Sequence, residues 1–230
     1  MSRAQKFLVR SFVGGFMTGM TSDHDPQIEG FVLVGGASSR MSENKAQLKI
    51  GGREMSERAF SVLRATCNRH VFLVGDTGGD GIDGAGSRVT TIPDNRAYGD
   101  DWQRAPIIGL YTALVNARAP WIAVLACDLP FVTSDLICRL SGFCSDVVDA
   151  VVPVQPDSRP QPLCALYRVE RCRPIVEATI KAGDLKLQKL LTNLATHYVK
   201  FDEIRDLPEA DSFFINVNTP EDYAKASKLA

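Results

Sequence analysis

Short, dense apolar runs along this chain alternate with stretches in which apolar residues recur every three or four positions, a pattern that predicts strands and helices in turn. The runs at 31–34, 70–74, 89–92 and 121–126 read as strands, and 54–67, 107–117 and 133–143 carry helical spacing. The second half continues with strands at 150–154 and 163–167, helices at 171–182 and 185–194, extended segments at 198–201 and 213–216, and a closing helix to Ala230. Such alternation argues for an α/β fold, a mostly parallel central sheet with helices on both faces. Phe31-Val32-Leu33-Val34 and Ile122-Ala123-Val124-Leu125-Ala126 have no polar face, so both strands belong in the middle of the sheet. Helix starts carry their own marks. Thr133-Ser134-Asp135 offers a cap, and Thr219-Pro220-Glu221-Asp222 combines a cap, a first-turn proline and acids near the positive end of the helix dipole.

In an open α/β sheet, ligands sit beyond the carboxyl ends of the strands. The first strand empties into Gly35-Gly36-Ala37-Ser38-Ser39-Arg40-Met41, with Lys45 shortly after. Glycine lets backbone pass close to a ligand, and unpaired amides beside Arg40 and Lys45 suit an anion, above all a nucleoside triphosphate. Spacing excludes two common phosphate loops. A P-loop requires Lys-Ser/Thr, whereas Lys45 is followed by Ala46, and no Gly-x-Gly-x-x-Gly follows the strand.

Polar groups also follow the other strands: Gly75-Asp76, Pro93-Asp94-Asn95, Cys127-Asp128 and Asn216-Val217-Asn218. Asp128 ends an apolar strand and precedes Leu129-Pro130, which holds a carboxylate at the mouth of the sheet. A hard cation such as Mg2+ suits that place, between one protein oxygen and substrate phosphates, although the residue also reads as a turn cap. Arg40 and Lys45 supply fixed positive charge against the charge that builds on a transferring phosphoryl group. Arg40, Lys45 and Asp128 are therefore the catalytic candidates. Asp94 reads equally as a contact to a base or second substrate and as a turn residue. The long polar stretch 96–104, with Tyr98 and Trp102, suits substrate contact. Asn216 and Asn218 fall on one side of an extended segment ahead of a helix, where they orient polar ligand groups or simply lead into the helix.

Composition narrows the class. At 230 residues, 45% hydrophobic and 23% charged, the chain buries a large core without disulfides or metal. One domain over 28–230 is expected, with a nucleotide-binding half at 28–130, a second half at 131–230 and a leader at 1–27. A net charge of -1 argues against a nucleic-acid partner. Six cysteines without a Cys-x-x-Cys pair read as reduced thiols of a cytoplasmic protein, and three histidines make a histidine-rich metal site improbable. Arg3, Lys6 and Arg10 ahead of residues 12–17 imitate a signal peptide, but the apolar part is short and glycine-broken, with no cleavage site after it. No run approaches the ~20 apolar residues of a membrane span.

Six motifs in order carry a resemblance. They are Leu33-Val-Gly-Gly-x-Ser-x-Arg-Met with Lys45, Pro93-Asp94, Pro106-x-x-Gly-Leu110, Cys127-Asp-Leu-Pro130, Gln161-Pro-Leu-Cys-Ala-Leu-Tyr167 and Phe214-Ile-Asn-Val-Asn-Thr-Pro-Glu221. Together they resemble the nucleotidyltransferases that make molybdenum cofactor dinucleotides, and most closely the guanylyl-transferring members. The resemblance implies a Rossmann-like nucleotidyltransferase fold and GTP bound by Leu33, Val34, Gly35, Gly36, Lys45, Asp94 and Asp128. It also implies Mg2+ on Asp128, and molybdopterin or Mo-molybdopterin near Asn216 and Asn218 in the second half. Molybdoenzyme maturation proteins follow as possible partners. Guanylyl-transferring relatives carry Gly-Gly after the first strand and cytidylyl-transferring ones Ala-Gly, so Gly35-Gly36 favours GTP. The chain departs from the family pattern at Ser42 and Ala105, where glycine is usual. A CTP-dependent enzyme, a sugar-phosphate nucleotidyltransferase and a nucleotide-binding protein without turnover stand as alternatives.

Overall fold

The computed structural model describes residues 26–34, 45–75, 90–93 and 105–229. The first strand, β1 (Ile28–Leu33), is buried at every position. After it come a 3-10 turn at Lys45–Gln47 and a small hairpin, β2 (Lys49–Ile50) and β3 (Arg53–Glu54). Its turn, Gly51-Gly52, has φ of 58° and 79°. Tight hairpins of this kind need two successive residues in the left-handed region, which glycine enters without steric cost.

The chain continues through α1 (Met55–Thr66), β4 (Val71–Val74), β5 (Thr91–Ile92), α2 (Pro106–Asn116), β6 (Trp121–Ala126) and α3 (Ser134–Ser141). It then forms β7 (Ala150–Pro153), β8 (Cys164–Arg168), α4 (Val169–Lys181), α5 (Leu187–Thr192), β9 (Thr196–Val199) and α6 (Pro220–Ala226). The described residues make a seven-stranded sheet in the order β5-β4-β1-β6-β8-β7-β9. β1 pairs parallel with β4 and β6, β4 with β5, and β7 with β9. β8 alone runs against its neighbours β6 and β7, so the sheet is mostly parallel, as the alternation predicts.

Side chains alternate between the two faces. Val32, Val34, Ala123 and Leu125 join Ala59, Phe60 and Leu63 of α1 and Leu136, Ile137 and Leu140 of α3 in one core. Phe31, Leu33, Ile122 and Val124 face the other way, against α2, α4 and α5. α2 is buried from Ile107 to Leu114 because the sheet takes one side of it and α4 covers another. A third, smaller core lies at one end: Leu48, Ile50, Met55, Phe131, Val217 and Ala226, with Ile215 and Tyr223 against it.

Two details differ from the sequence expectation. Residues 213–216 are not a strand. A 3-10 turn at Ala210–Ser212 runs into further turns, with the Ile215 N–H donating to the Ser212 carbonyl at 3.1 Å. Apolar residues there satisfy two cores, Phe213 in the first and Val217 in the third, by turning rather than by pairing with an edge. Thr133 sits at the N-cap of α3, but its side chain makes no capping bond and its Oγ1 is buried without a partner. Thr219 does cap: its Oγ1 accepts from the Asp222 N–H at 3.2 Å, and Asp222 Oδ2 accepts from the Thr219 N–H at 2.9 Å.

Candidate active site

Between β1 and β6 the chain reverses its order across the sheet: it leaves β1 for β4 and β5 on one side and returns as β6 on the other. The loops after these neighbouring strands diverge, and that divergence opens the crevice where α/β sheets bind ligands. The strand ends are pinned level at this edge. The Val34 N–H donates to the Val74 carbonyl at 2.9 Å, Gly75 N–H to Ile92 carbonyl at 2.9 Å, and Cys127 N–H to Leu33 carbonyl at 3.0 Å. Gly75 leaves β4 with a φ of 119°, a conformation other residues rarely adopt.

Asp128 stands one residue beyond Cys127 and is partly exposed at the end of a strand buried throughout. Its carbonyl accepts from the Val217 N–H at 2.9 Å. That bond brings the Asn216-Val217-Asn218 segment, nearly ninety positions away in sequence, beside the loop after β6. Asn216 is half-buried and its Nδ2 donates to the Phe214 carbonyl at 3.3 Å, whereas Asn218 is exposed. The Asn218 backbone N–H donates to Asp222 Oδ2 at 3.1 Å, so the α6 capping box fixes the course of the segment. Thr219, then the Asn218 amide, hold the Asp222 carboxyl below the ordinary carboxylate range.

β8 enters the sheet at the same edge because it is antiparallel to β6. Leu163, just before it, accepts from the Ala126 N–H at 2.8 Å, and the Tyr167 hydroxyl donates to the Pro162 carbonyl at 2.7 Å. Gln161-Pro162-Leu163 is thereby held next to the Asp128 loop. Burial pushes the Cys164 thiol up to about 12, which disfavours the thiolate a nucleophile needs, and Cys127 is buried in the same core.

Of the residues singled out from sequence, the structure brings together Leu33, Val34, Asp128, Asn216 and Asn218. Leu33 and Val34 are buried, with side chains in opposite cores. Lys45 opens the 3-10 turn, and its side chain lies outside the described residues. Gly35, Gly36, Arg40, Ser42, Asp94, Tyr98 and Trp102 lie outside them too. Sequence reading missed Arg58 on α1, whose Nε donates to the Pro130 carbonyl at 3.1 Å and whose Nη1 donates to the Ile50 carbonyl at 3.1 Å. A groove of about 1030 Å³ lies apart from this edge, lined by Thr179, Asp184, Lys186, Lys189 and Asn193 among others, and none of the site residues lines it.

Among the described residues no three His, Cys, Asp or Glu side chains gather into a metal cage. The partly exposed Asp128 carboxylate at the sheet mouth fits an ion that keeps most of its shell on water and phosphate oxygens, as Mg2+ does. It does not fit a zinc site, which needs several nitrogen or sulfur ligands.

Strand order, switch point and an acidic strand end define an α/β protein with its site at the carboxyl edge of the sheet. The chain belongs to the MobA-like NTP transferase family, whose domain profile matches residues 30–198. A probable molybdenum cofactor guanylyltransferase of Pelotomaculum thermopropionicum is 31% identical over 204 residues, 89% of this chain and 94% of that protein. One from a Geobacillus species is 29% identical over 197 residues, covering 86% and 96%. Among solved structures, molybdopterin-guanine dinucleotide biosynthesis protein A from Archaeoglobus fulgidus superposes with a TM-score of 0.70 at 24% identity, over 87% of this chain and 97% of that one. A 2-C-methyl-D-erythritol 4-phosphate cytidylyltransferase from Thermus thermophilus shares the fold with a TM-score of 0.59 at 17% identity, over 86% and 96%.

Proposed function

We propose that this nucleotidyltransferase transfers GMP from GTP to the terminal phosphate of molybdopterin, giving molybdopterin guanine dinucleotide and pyrophosphate. The observation that carries the reading is the 2.9 Å bond from the Val217 N–H to the Asp128 backbone carbonyl, which ties the Asn216-Val217-Asn218 segment to the loop that bears Asp128. A two-substrate transfer needs such an arrangement, with a charge-handling group between a nucleotide subsite and an acceptor subsite. The curated relatives' names, at about 30% identity over most of the chain, support the choice of substrates.

A phosphate oxygen of molybdopterin attacks the α-phosphorus of GTP. One P–O bond forms, the bond from the α-phosphorus to the bridging oxygen breaks, and pyrophosphate leaves with the electron pair. The nucleophile is already ionised, so no general base and no covalent enzyme intermediate are required. Mg2+, when bound at Asp128, supplies charge neutralisation on the phosphate oxygens. Asp128 holds that charge at a fixed point. Arg40, Lys45 and the amides of Gly35 and Gly36 orient the triphosphate and stabilise the leaving pyrophosphate, with Leu33, Val34 and Asp94 completing the nucleotide subsite. Asn216 and Asn218 orient the acceptor. In this reading residues 28–130 serve the nucleotide and 131–230 the cofactor, behind a leader at 1–27, and the reaction is cytoplasmic. Among the described residues no helix is long and apolar enough to cross a membrane.

The test is incubation of the purified chain with molybdopterin and each of GTP, CTP, ATP and UTP, with products identified by mass. Dinucleotide from GTP supports the reading, product from CTP reassigns the base, and GTP binding without product reassigns the chain as a nucleotide-binding protein. In Asp128→Asn, turnover at the wild-type rate overturns the metal assignment; a loss of at least 10²-fold is expected.

A further inference from the structure

Arg58 sits at the meeting point of two segments that the functional reading assigns to opposite ends of the triphosphate. Its Nε donates to the Pro130 carbonyl and its Nη1 to the Ile50 carbonyl, each at 3.1 Å, and its guanidinium lies 6.0 Å from the centre of the Phe131 ring. Pro130 is two residues past Asp128. Ile50 ends the short segment that begins at Lys45.

That segment, a 3-10 turn running into β2, is tied down point by point. Ser56 Oγ donates to the Ala46 carbonyl at 2.8 Å, the Met55 N–H to the Leu48 carbonyl at 2.9 Å, and the Tyr223 hydroxyl to the Lys49 carbonyl at 2.8 Å. The Asp128 loop is tied in turn to residue 217. Arg58 links the two sets. A guanidinium is planar and carries its donors in a fixed fork, so two carbonyls bound to one guanidinium are held at a defined separation. A lysine reaches one such carbonyl with a flexible point charge and leaves the other unpaired.

We propose that Arg58 is a positioning residue that sets the Asp128 loop at a fixed distance from the segment beginning at Lys45, and so couples the metal-binding end of the site to the triphosphate-binding end. The inference rests on the nucleotidyltransferase reading of Asp128 and Lys45 but not on the identity of the acceptor. Misplacement of charge-handling groups by as little as an ångström costs up to about 10²-fold in rate, and the same misplacement weakens the thermodynamic linkage between Mg2+ and nucleotide.

The experiment titrates GTP into the full-length chain with and without Mg2+, in the absence of molybdopterin, for wild type, Arg58→Gln, Arg58→Lys and Arg53→Gln. Melting temperature is recorded for each. Arg53 is an exposed control on β3, in the hairpin that also contains Ile50, and is paired with Glu57 at 3.2 Å. In both Arg58 variants the factor by which Mg2+ tightens GTP binding is expected to fall about tenfold, while metal-free GTP affinity changes less than about twofold. Arg53→Gln is expected to keep the wild-type factor. A purely structural arginine would lower both affinities together with the folded fraction and leave the factor unchanged, and that result overturns the proposal. So does a wild-type chain whose GTP affinity is indifferent to Mg2+. Failure of the functional reading shows elsewhere, as an intact Mg2+ factor with no dinucleotide formed from molybdopterin.

Discussion

Two buried polar side chains show how single residues hold opposite ends of the sheet, Glu29 at the edge away from the site and Tyr167 through the carbonyl of Pro162 at the site's edge. Glu29, 4% exposed on the central strand, accepts from the backbone N–H groups of Arg118 and Ala119 at 2.7 and 3.1 Å. Its carboxylate satisfies two amides of the turn that returns the chain from α2 into β6. Glu29→Ala leaves the buried Ala119 amide and the part-buried Arg118 amide without this acceptor, and a loss of about 1–3 kcal/mol is expected. Glu29→Gln keeps one acceptor oxygen and should lose less; urea unfolding of the two variants checks the order. Tyr167, wholly buried, donates to the Pro162 carbonyl, and burial drives its hydroxyl well above the ordinary tyrosine range, so it remains a donor at any pH the fold survives. Tyr167→Phe is expected to cost about 1–2 kcal/mol. A thermal melt with an unchanged midpoint would show that the Pro162 carbonyl finds water instead.

Among elements, α6 has the clearest function, since its capping box steers the Asn216-Val217-Asn218 segment. Thr219→Ala removes the oxygen that accepts from the Asp222 N–H and is expected to cost about 1 kcal/mol. The Asp222 carboxyl is held below its ordinary value of 3.8, by the Thr219 hydrogen bond first and the Asn218 and Thr219 amides after it. A carboxyl depressed in the folded state adds stability that is present above the unfolded value and lost as pH falls through the folded one. The cap therefore weakens only below about pH 3.8, and between pH 5 and 8 its hold on the segment is constant. Amide exchange at Asn218, slow at pH 6 and faster in Asp222→Asn, is the measurement. The start of this helix was legible in Thr-Pro-Glu-Asp because capping chemistry is local. β6 was legible to the residue because an unbroken apolar run between two turns admits few alternatives. The hairpin of β2 and β3 was not, since strands of two residues are too short to show a period, even with Gly51-Gly52 between them. Residues 213–216 misled for the opposite reason: an apolar run signals burial, and burial was achieved by turns. Nor does any pattern of apolar residues encode that β8 runs antiparallel, which is what carries Gln161-Pro162-Leu163 to the Asp128 edge. Asp128 itself was legible by its place after a buried strand, whereas Arg58 was not, because an arginine on an amphipathic helix gives no sign that its partners are carbonyls eight and seventy-two positions away.

At the scale of the molecule, the cores divide the labour. The two large cores lie on the faces of the sheet and hold its strands in register. The third is built from Leu48, Ile50, Met55, Phe131, Val217 and Ala226, drawn from four separate stretches of chain that include the segment after Lys45, the loop after Asp128 and the Asn216–Asn218 run. Nothing in the pairing of the seven-stranded sheet depends on it, yet three segments of the candidate site border it. Equal damage in the two kinds of core should therefore have unequal consequences. Leu140 of α3 and Ile50 of β2 are both fully buried, and truncation of either to alanine is expected to cost about 2–5 kcal/mol. In Leu140→Ala the molecules that stay folded should retain wild-type kcat, because the cavity opens under a face of the sheet far along α3 from the loops. In Ile50→Ala the cavity opens where Phe131 and Val217 meet, and the backbone that shifts to fill it carries the carbonyl bound by Arg58. There kcat per folded molecule should fall at least tenfold, with the melting point no lower than in Leu140→Ala. Parallel measurement of folded fraction and nucleotidyl transfer in the two variants decides it; equal kcat in both would mean that the third core is packing alone and the site draws its geometry from the sheet.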